Sequence, residues 1–213
     1  MRLSFYLHGK LKRTKKYILS TFRLFGYNIE KYDVRDSIQF MKNSNKKDLK
    51  VIEIGTFDGK NARTILEFLD IEKIYLIDPY YYEKSDNSTT QKEIETNGGD
   101  FYFEKARKIL KKWENKITWI NKNSDNAVSL FKDNYFDYIY IDGNHTYKQV
   151  LKDMENYYKK IKIGGVLAGH DICNGIHAQV DNWGVTEAFF KFVNKYNLKP
   201  RIHGQDWWII KEK

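Results

Sequence analysis

From Leu49 onward, short apolar runs alternate with stretches whose apolar residues recur every three or four positions, and no other feature of this 213-residue chain restricts its fold as much. An apolar run followed by a helical pattern, repeated, is the signature of βαβ units and a parallel sheet. The expected strands are Val51–Ile54, Ile74–Ile77, Ile117–Ile120, Tyr138–Ile141 and Val166–Ala168, with Trp207–Ile210 last. Between them, Asn61–Leu69, Phe101–Trp113, Asn126–Lys132, Tyr147–Lys160 and Val185–Tyr196 read as helices. An α/β chain of this kind forms a doubly wound sheet that binds ligands beyond the carboxyl ends of its strands.

Residues 1–48 read as a separate basic arm and residues 49–213 as one catalytic domain. In the arm, Leu7, Leu11, Thr14, Ile18, Phe22 and Phe25 share one helical face, with Lys10, Lys12, Arg13, Lys15 and Lys16 around it. A second helical piece, about Val34 to Lys42, leads to the polar stretch Asn43–Asp48. The charge of +9 is the arm's alone: residues 1–50 hold 13 Lys and Arg against 4 Asp and Glu, and the remainder holds 24 of each. A neutral catalytic portion argues against a long phosphate-binding track, and so against nucleic acid as the partner. The arm packs on the core or on a second subunit of a homo-oligomer, binds acidic polymers, or lies as a peripheral contact on an anionic membrane surface. No run reaches the ~18 apolar residues of a membrane span. The single Cys173 excludes an intramolecular disulfide framework and suits a reducing cytoplasm, with the inner face of the membrane as the place of any contact by the arm.

Five strand exits carry the chemistry. In Glu53-Ile-Gly-Thr-Phe-Asp-Gly59 an acid is followed by a glycine turn into a helix; Gly55 admits a close approach of a ligand and Gly59 the turn geometry at the helix entry. Thr56 and Asp58 lie in the same turn, where a nucleotide-type ligand with hydroxyls or a cationic group would sit. The glycines are four apart and no Gly-Lys-Ser/Thr follows, so neither a dinucleotide fingerprint nor a phosphate loop is present. Asp78, 25 residues after Glu53, is placed to accept from ribose hydroxyls, or else simply starts a turn before Pro79. Ser124 and Asp125 follow the next strand, suited equally to capping a helix and to recognising a base.

The most distinctive element is Asp142 and His145 after one strand, with His170 and Asp171 after its neighbour. A histidine there is a candidate general base, because its reference pKa lies near neutrality. The same carboxylates and imidazoles could hold a divalent ion. The polar segment Pro79–Asp100 lacks strand or strong helix periodicity and reads as a lid or a disordered insertion, with Tyr80, Tyr81 and Tyr82 at its root.

Tyr140-Ile-Asp-Gly-Asn-His-Thr-Tyr147 with Val150 and Asp153, Gly164-Gly-Val-Leu-Ala-Gly-His-Asp171, Gly184-Val, and Trp207-Trp-Ile-Ile210 together resemble the class I methyltransferases grouped as methyltransferase domain 24. The resemblance covers about residues 50–211. It implies a Rossmann-like, mostly parallel sheet of seven strands with the last antiparallel, and S-adenosylmethionine as cofactor. By this resemblance Glu53 and Gly55 border the methionine moiety, Asp78 the ribose, and Ser124 and Asp125 the adenine side. Neighbouring metal-dependent O-methyltransferases hold Mg²⁺ with an acid after the fourth strand and an Asp-Asn or Asp-Asp pair after the fifth. Asp142 and His170-Asp171 stand in those places here, and His-Asp departs from that pattern.

The arm's Phe25-Gly-Tyr-Asn-Ile-Glu-Lys-Tyr32 also resembles leaders of bacterial methyltransferases acting in surface-glycan pathways. The expected activity is therefore O-methylation of a hydroxyl on a sugar or other small molecule, with His145 as base and Asp142 orienting it or binding metal. The rival readings are an RNA or protein methyltransferase, and a hydroxylase with iron at Asp142, His170 and Asp171.

Overall fold

The structure, a computed structural model, describes residues 34–81, 89–172 and 184–212. These lie in one compact unit that runs from Val34 to Lys213. The helix expected over Leu7–Phe25, and the residues Tyr82 and Cys173, lie outside the described residues. No described helix is long and apolar enough to cross a membrane.

Strands β1 (Leu49–Ile54), β2 (Ile71–Ile77), β3 (Ile117–Ile120), β4 (Phe136–Ile141), β5 (Ile161–Gly169), β6 (Arg201–His203) and β7 (Asp206–Ile210) form one sheet. Its order is β3-β2-β1-β4-β5-β7-β6. The first five strands pair in parallel, and β7 runs antiparallel to both β5 and β6. The fold is the expected seven-stranded doubly wound sheet with a reversed last strand.

The strands read as near-continuous apolar runs because both faces are covered. Alternate residues feed opposite cores, since successive side chains of a strand point to opposite faces. Ile52, Ile139, Ile141 and Leu167 join one core, with Met154 and Tyr157 of helix α6 (Tyr147–Tyr158) and Phe189 and Phe192 of α7 (Val185–Tyr196). Val51, Tyr138, Tyr140 and Val166 join the other, with Ile65 of α2 (Lys60–Phe68) and Leu110 of α4 (Gly99–Leu110). Each buried isoleucine contributes roughly 2 kcal/mol of apolar burial.

Four expectations change. Helix α1 (Asp36–Asn43), assigned to the arm with residues 1–48, buries Ile38 and Met41 in the second core, so residues 34–48 belong to the compact unit. The Pro79–Asp100 segment contains helix α3 (Thr89–Asn97) and the start of α4. Of α3 only Ile94 is a buried hydrophobic residue, which is too little apolar surface to leave a periodic trace. The helix expected over Asn126–Lys132 is instead the short α5 (Ser124–Ala127) and a 3₁₀ turn over Val128–Leu130. Finally β5 begins at Ile161, and β6, exposed at all three residues, has no apolar alternation to announce it.

Ile54 pairs with both Ile77 and Ile141, and Ile141 with Gly169. The register therefore releases Gly55, Asp78, Asp142 and His170 at one level of the sheet. Between β1 and β4 the strand order reverses, which opens the crevice where such sheets take ligands.

Candidate active site

The turn after β1 is built around a backbone contact. Gly55 has φ of +85°, and a Cβ on it would stand 2.0 Å from the carbonyl oxygen of Asp142. The sequence pointed to a ligand approaching Gly55; the closest approach is made by the β4 exit itself. Phe57 N–H donates to Oδ2 of Asp78 and Tyr80 N–H to Oδ1, each at 2.8 Å. Asp78 thus serves as the turn former before Pro79 and also ties the β1 turn to the β2 exit. Gly59, at φ of +79°, forms the cap of α2 as expected.

Asp58 is ion-paired to Lys60 at 2.6 Å and to Lys105 at 3.1 Å. Burial raises its pKa, but the lysines outweigh burial and hold it below the ordinary value. Glu53 is fully buried, and its Oε1 accepts from Asn61 at 2.9 Å. Among the described residues, no hydrogen bond reaches Oε2. Burial pushes the Glu53 pKa up to about 8; the Asn61 amide opposes the rise and the charge of Asp142 adds to it.

Beyond β3, the cap of α5 is the Asn123 side chain, which accepts from Asn126 N–H at 3.0 Å, rather than Ser124 or Asp125. Those two are tied to α6 instead. Ser124 Oγ accepts from Gln149 at 3.1 Å, and Asp125 pairs with Lys152 at 2.6 Å. Gln149 also donates to the buried Asp153 at 3.0 Å. Burial lifts the Asp153 pKa to about 7. Gln149 was missed from sequence; its spacing of four from Asp153 on a helix leaving a strand exit was the available signal.

At the β4 and β5 exits, His145 Nε2 lies 3.0 Å from Oδ2 of Asp171 and 3.7 Å from Oδ1 of Asp142. Burial alone would lower the imidazole pKa, but the two carboxylates overcome it and push it up to about 10. Held up in this way, His145 keeps its proton more tightly than an ordinary histidine, which works against the base role inferred from its reference pKa. The same contacts, with His170, keep Asp171 well below the usual carboxylate range despite burial.

His170 Nδ1 stands 2.9 Å from Oδ1 of Asp171, and its Nε2 meets Nη1 of Arg35. A guanidinium only donates, so Nε2 accepts and the ring proton sits on Nδ1. Nη2 of Arg35 lies 3.8 Å from Oδ2 of Asp142. Sequence reading left Arg35 inside the basic arm, where nothing set it apart from the other cations.

Asp142, His170 and Asp171 do converge as expected, each offering an atom within 4.8 Å of the others. Those donors already face Arg35 and His145, however, and Mg²⁺ favours six oxygens over an imidazole nitrogen. As arranged, the set does not fit a divalent ion.

A cleft of about 490 Å³ joins these groups, lined from Thr56, Asp58 and Asp78 through Ser124, Asp125 and Asp153 to Asp142, His145, His170, Asp171 and Arg35. That volume is typical of a small-molecule site. Glu53 lies behind its wall, which its partner Asn61 lines. Thr90, Gln91 and Ile94 of α3 close one side. Of the tyrosines at the root of the Pro79–Asp100 segment, Tyr80 packs in an apolar cluster with Ile94 and Tyr102, and Tyr81 is exposed.

Residues 52–172 match the model of a family described as a methyltransferase domain. A curated relative, uncharacterized protein R132 of Acanthamoeba polyphaga mimivirus, is 26% identical over 130 residues, 59% of this chain and 52% of the relative. The chain thus spans about half the length of that relative. Among solved structures, a cofactor-bound protein from MTB aligns with a TM-score of 0.63 at 11% identity, covering 97% of this chain and 100% of that one. The O-methyltransferase TomG of Streptomyces achromogenes, in complex with SAM, gives 0.59 at 11% identity, covering 96% and 92%. At such identities the likeness is one of fold.

Proposed function

Because the chain belongs to the methyltransferase-domain family, we propose that it transfers a methyl group from S-adenosylmethionine to a hydroxyl oxygen of a small molecule, with a sugar of a surface glycan as the acceptor class. The observation that carries this reading is the fully buried Oε2 of Glu53, which no hydrogen bond reaches among the described residues, just behind the wall of a cleft whose far end holds ionisable groups. An unpaired buried oxygen is costly unless a ligand satisfies it, and a cationic group of the donor does so.

In this reading Glu53 takes the ammonium of the methionine part, Asp78 the ribose hydroxyls, and the Ser124–Asp125 segment the adenine side. Gly55, Thr56, Asp58 and Gly59 shape the turn between them. The donor supplies a methyl group activated on a sulfonium. The protein aligns the acceptor oxygen with it and removes a proton. That proton passes to the Asp142 carboxylate, while the His145 imidazolium, 3.0 Å from Asp171, stabilises the negative charge developing on the acceptor oxygen.

Calorimetric titration of the full chain with S-adenosylhomocysteine tests the cofactor: micromolar-range binding is expected, and none at all would end this reading. Label transfer from S-adenosylmethionine onto hydroxylated sugars tests the acceptor. Label entering RNA or protein instead would move the activity to those substrates.

A further inference from the structure

The β4 and β5 exits carry a permanent protein cation, Arg35, beside their ionisable groups. Asp142 and Asp171 are two anions; Arg35 and His145 lie within ion-pair reach of them, His145 touching both and Arg35 facing Asp142 at 3.8 Å. Arg35 also takes the lone pair on His170 Nε2. A divalent ion placed among Asp142, His170 and Asp171 would meet the Arg35 guanidinium, which faces two of the three.

Arg35 is not a loose surface side chain. It immediately precedes α1, and that helix start is docked in the sheet by buried contacts. Ser37 N–H donates to Oδ2 of Asp206 at 2.6 Å, and the Ser37 hydroxyl bonds Tyr138 OH at 2.9 Å. Tyr140 OH donates to the other oxygen of Asp206 at 3.0 Å. Ile38 and Met41 anchor the next turn in the core. The helix therefore delivers the guanidinium to the cleft wall, which Arg35 lines.

We infer that the Arg35 guanidinium, a permanent cation set against Asp142 and His170, fills the place that a divalent ion would take among Asp142, His170 and Asp171. Arg35 lines the cleft, where its guanidinium holds the acceptor oxygen as it gains negative charge, the role of a preorganised electrostatic site. The acceptor role rests on the methyl-transfer reading; the exclusion of metal does not.

The probe is Mn²⁺ alone, followed by the electron paramagnetic resonance of the free ion against the full chain. Wild type is expected to leave millimolar Mn²⁺ free and to transfer methyl groups at an unchanged rate in excess EDTA. Arg35→Ala opens the cluster, so Mn²⁺ binding tightens by about tenfold or more. Adding His170→Ala to that variant abolishes the gain. Turnover of Arg35→Ala falls by roughly 100-fold, as when one oxyanion donor is removed. Should the alanine variant not fold, Arg35→Met keeps the stem and serves the same titration. Tight Mn²⁺ binding by wild type overturns the inference, as does a folded Arg35→Ala that binds no better. Failure to bind S-adenosylhomocysteine would sink the methyl-transfer reading and leave the Mn²⁺ result standing.

Discussion

At the β1 end of the cleft Glu53 keeps one buried oxygen without a hydrogen-bond partner, whereas at the β4 and β5 end Asp142 and Asp171 face Arg35 and His145. The side chains are the same kind, and their electrostatic states are opposite. Carrying the Glu53 pKa from 4.5 to about 8 costs on the order of 5 kcal/mol against ionisation. Asp171, buried almost as deeply, is shifted the other way because the imidazoles of His145 and His170 hydrogen-bond to it. Burial alone therefore does not decide the state of a carboxylate; the partner within about 4 Å does. One end waits for a cation from outside, and the other has its own, which separates holding a cationic donor from activating an acceptor.

Substitution at the self-neutralised end should give the largest effect and leave donor binding alone. Asp142→Asn keeps the shape and removes the anion that takes the acceptor's proton. Turnover is expected to fall by about 100-fold or more, the usual range for a lost general base, with S-adenosylhomocysteine affinity within about twofold. A parallel loss of affinity would join the two ends into one electrostatic unit and break the comparison.

The unfilled end should respond to pH. With its pKa near 8, Glu53 is mainly protonated at pH 7 in the free protein, yet it must be ionised to accept an ammonium. Binding then releases a proton below pH 8. Affinity for S-adenosylhomocysteine should rise up to about tenfold per pH unit from pH 6 to 8 and level off above. Glu53→Gln flattens that profile and weakens binding by about tenfold at pH 9, the cost of one charge-assisted hydrogen bond. A flat profile in wild type would show that Glu53 does not meet a cation.

The strand exits were legible because β1, β2 and β4 are buried on both faces and end in an acid or a glycine, leaving a run and a stop in the sequence. The converging cluster at Asp142, His145, His170 and Asp171 was legible for the same reason. Its charge state was not. Arg35 lies 135 positions before His170 and sits among 13 basic residues, so no local pattern tied it to the site. Helix α3 and strand β6 bury too little to write a period. The close contact of Gly55 with Asp142 joins β1 to β4 across the switch point, and only tertiary structure shows it.

Asp153 offers the smallest test and extends the comparison to a third place on the cleft wall. It appeared in the sequence only within a family motif, and it proves to be nearly fully buried, with a pKa near 7. Its unfolded value is about 3.9. Between roughly pH 4 and 7 the folded form therefore holds a proton that the unfolded chain has lost, so stability falls as pH rises through that window and is flat above it. Asp153→Asn keeps an acceptor for Gln149 and removes the penalty. The variant should melt a few degrees higher than wild type at pH 8, at about 2–4 °C per kcal/mol for a domain of this size, and show little gain near pH 4. Thermal unfolding of the ligand-free protein at both pH values decides it. Parallel melting curves across the range would mean that Asp153 is ionised and balanced, like Asp171, and that Glu53 alone is left unpartnered.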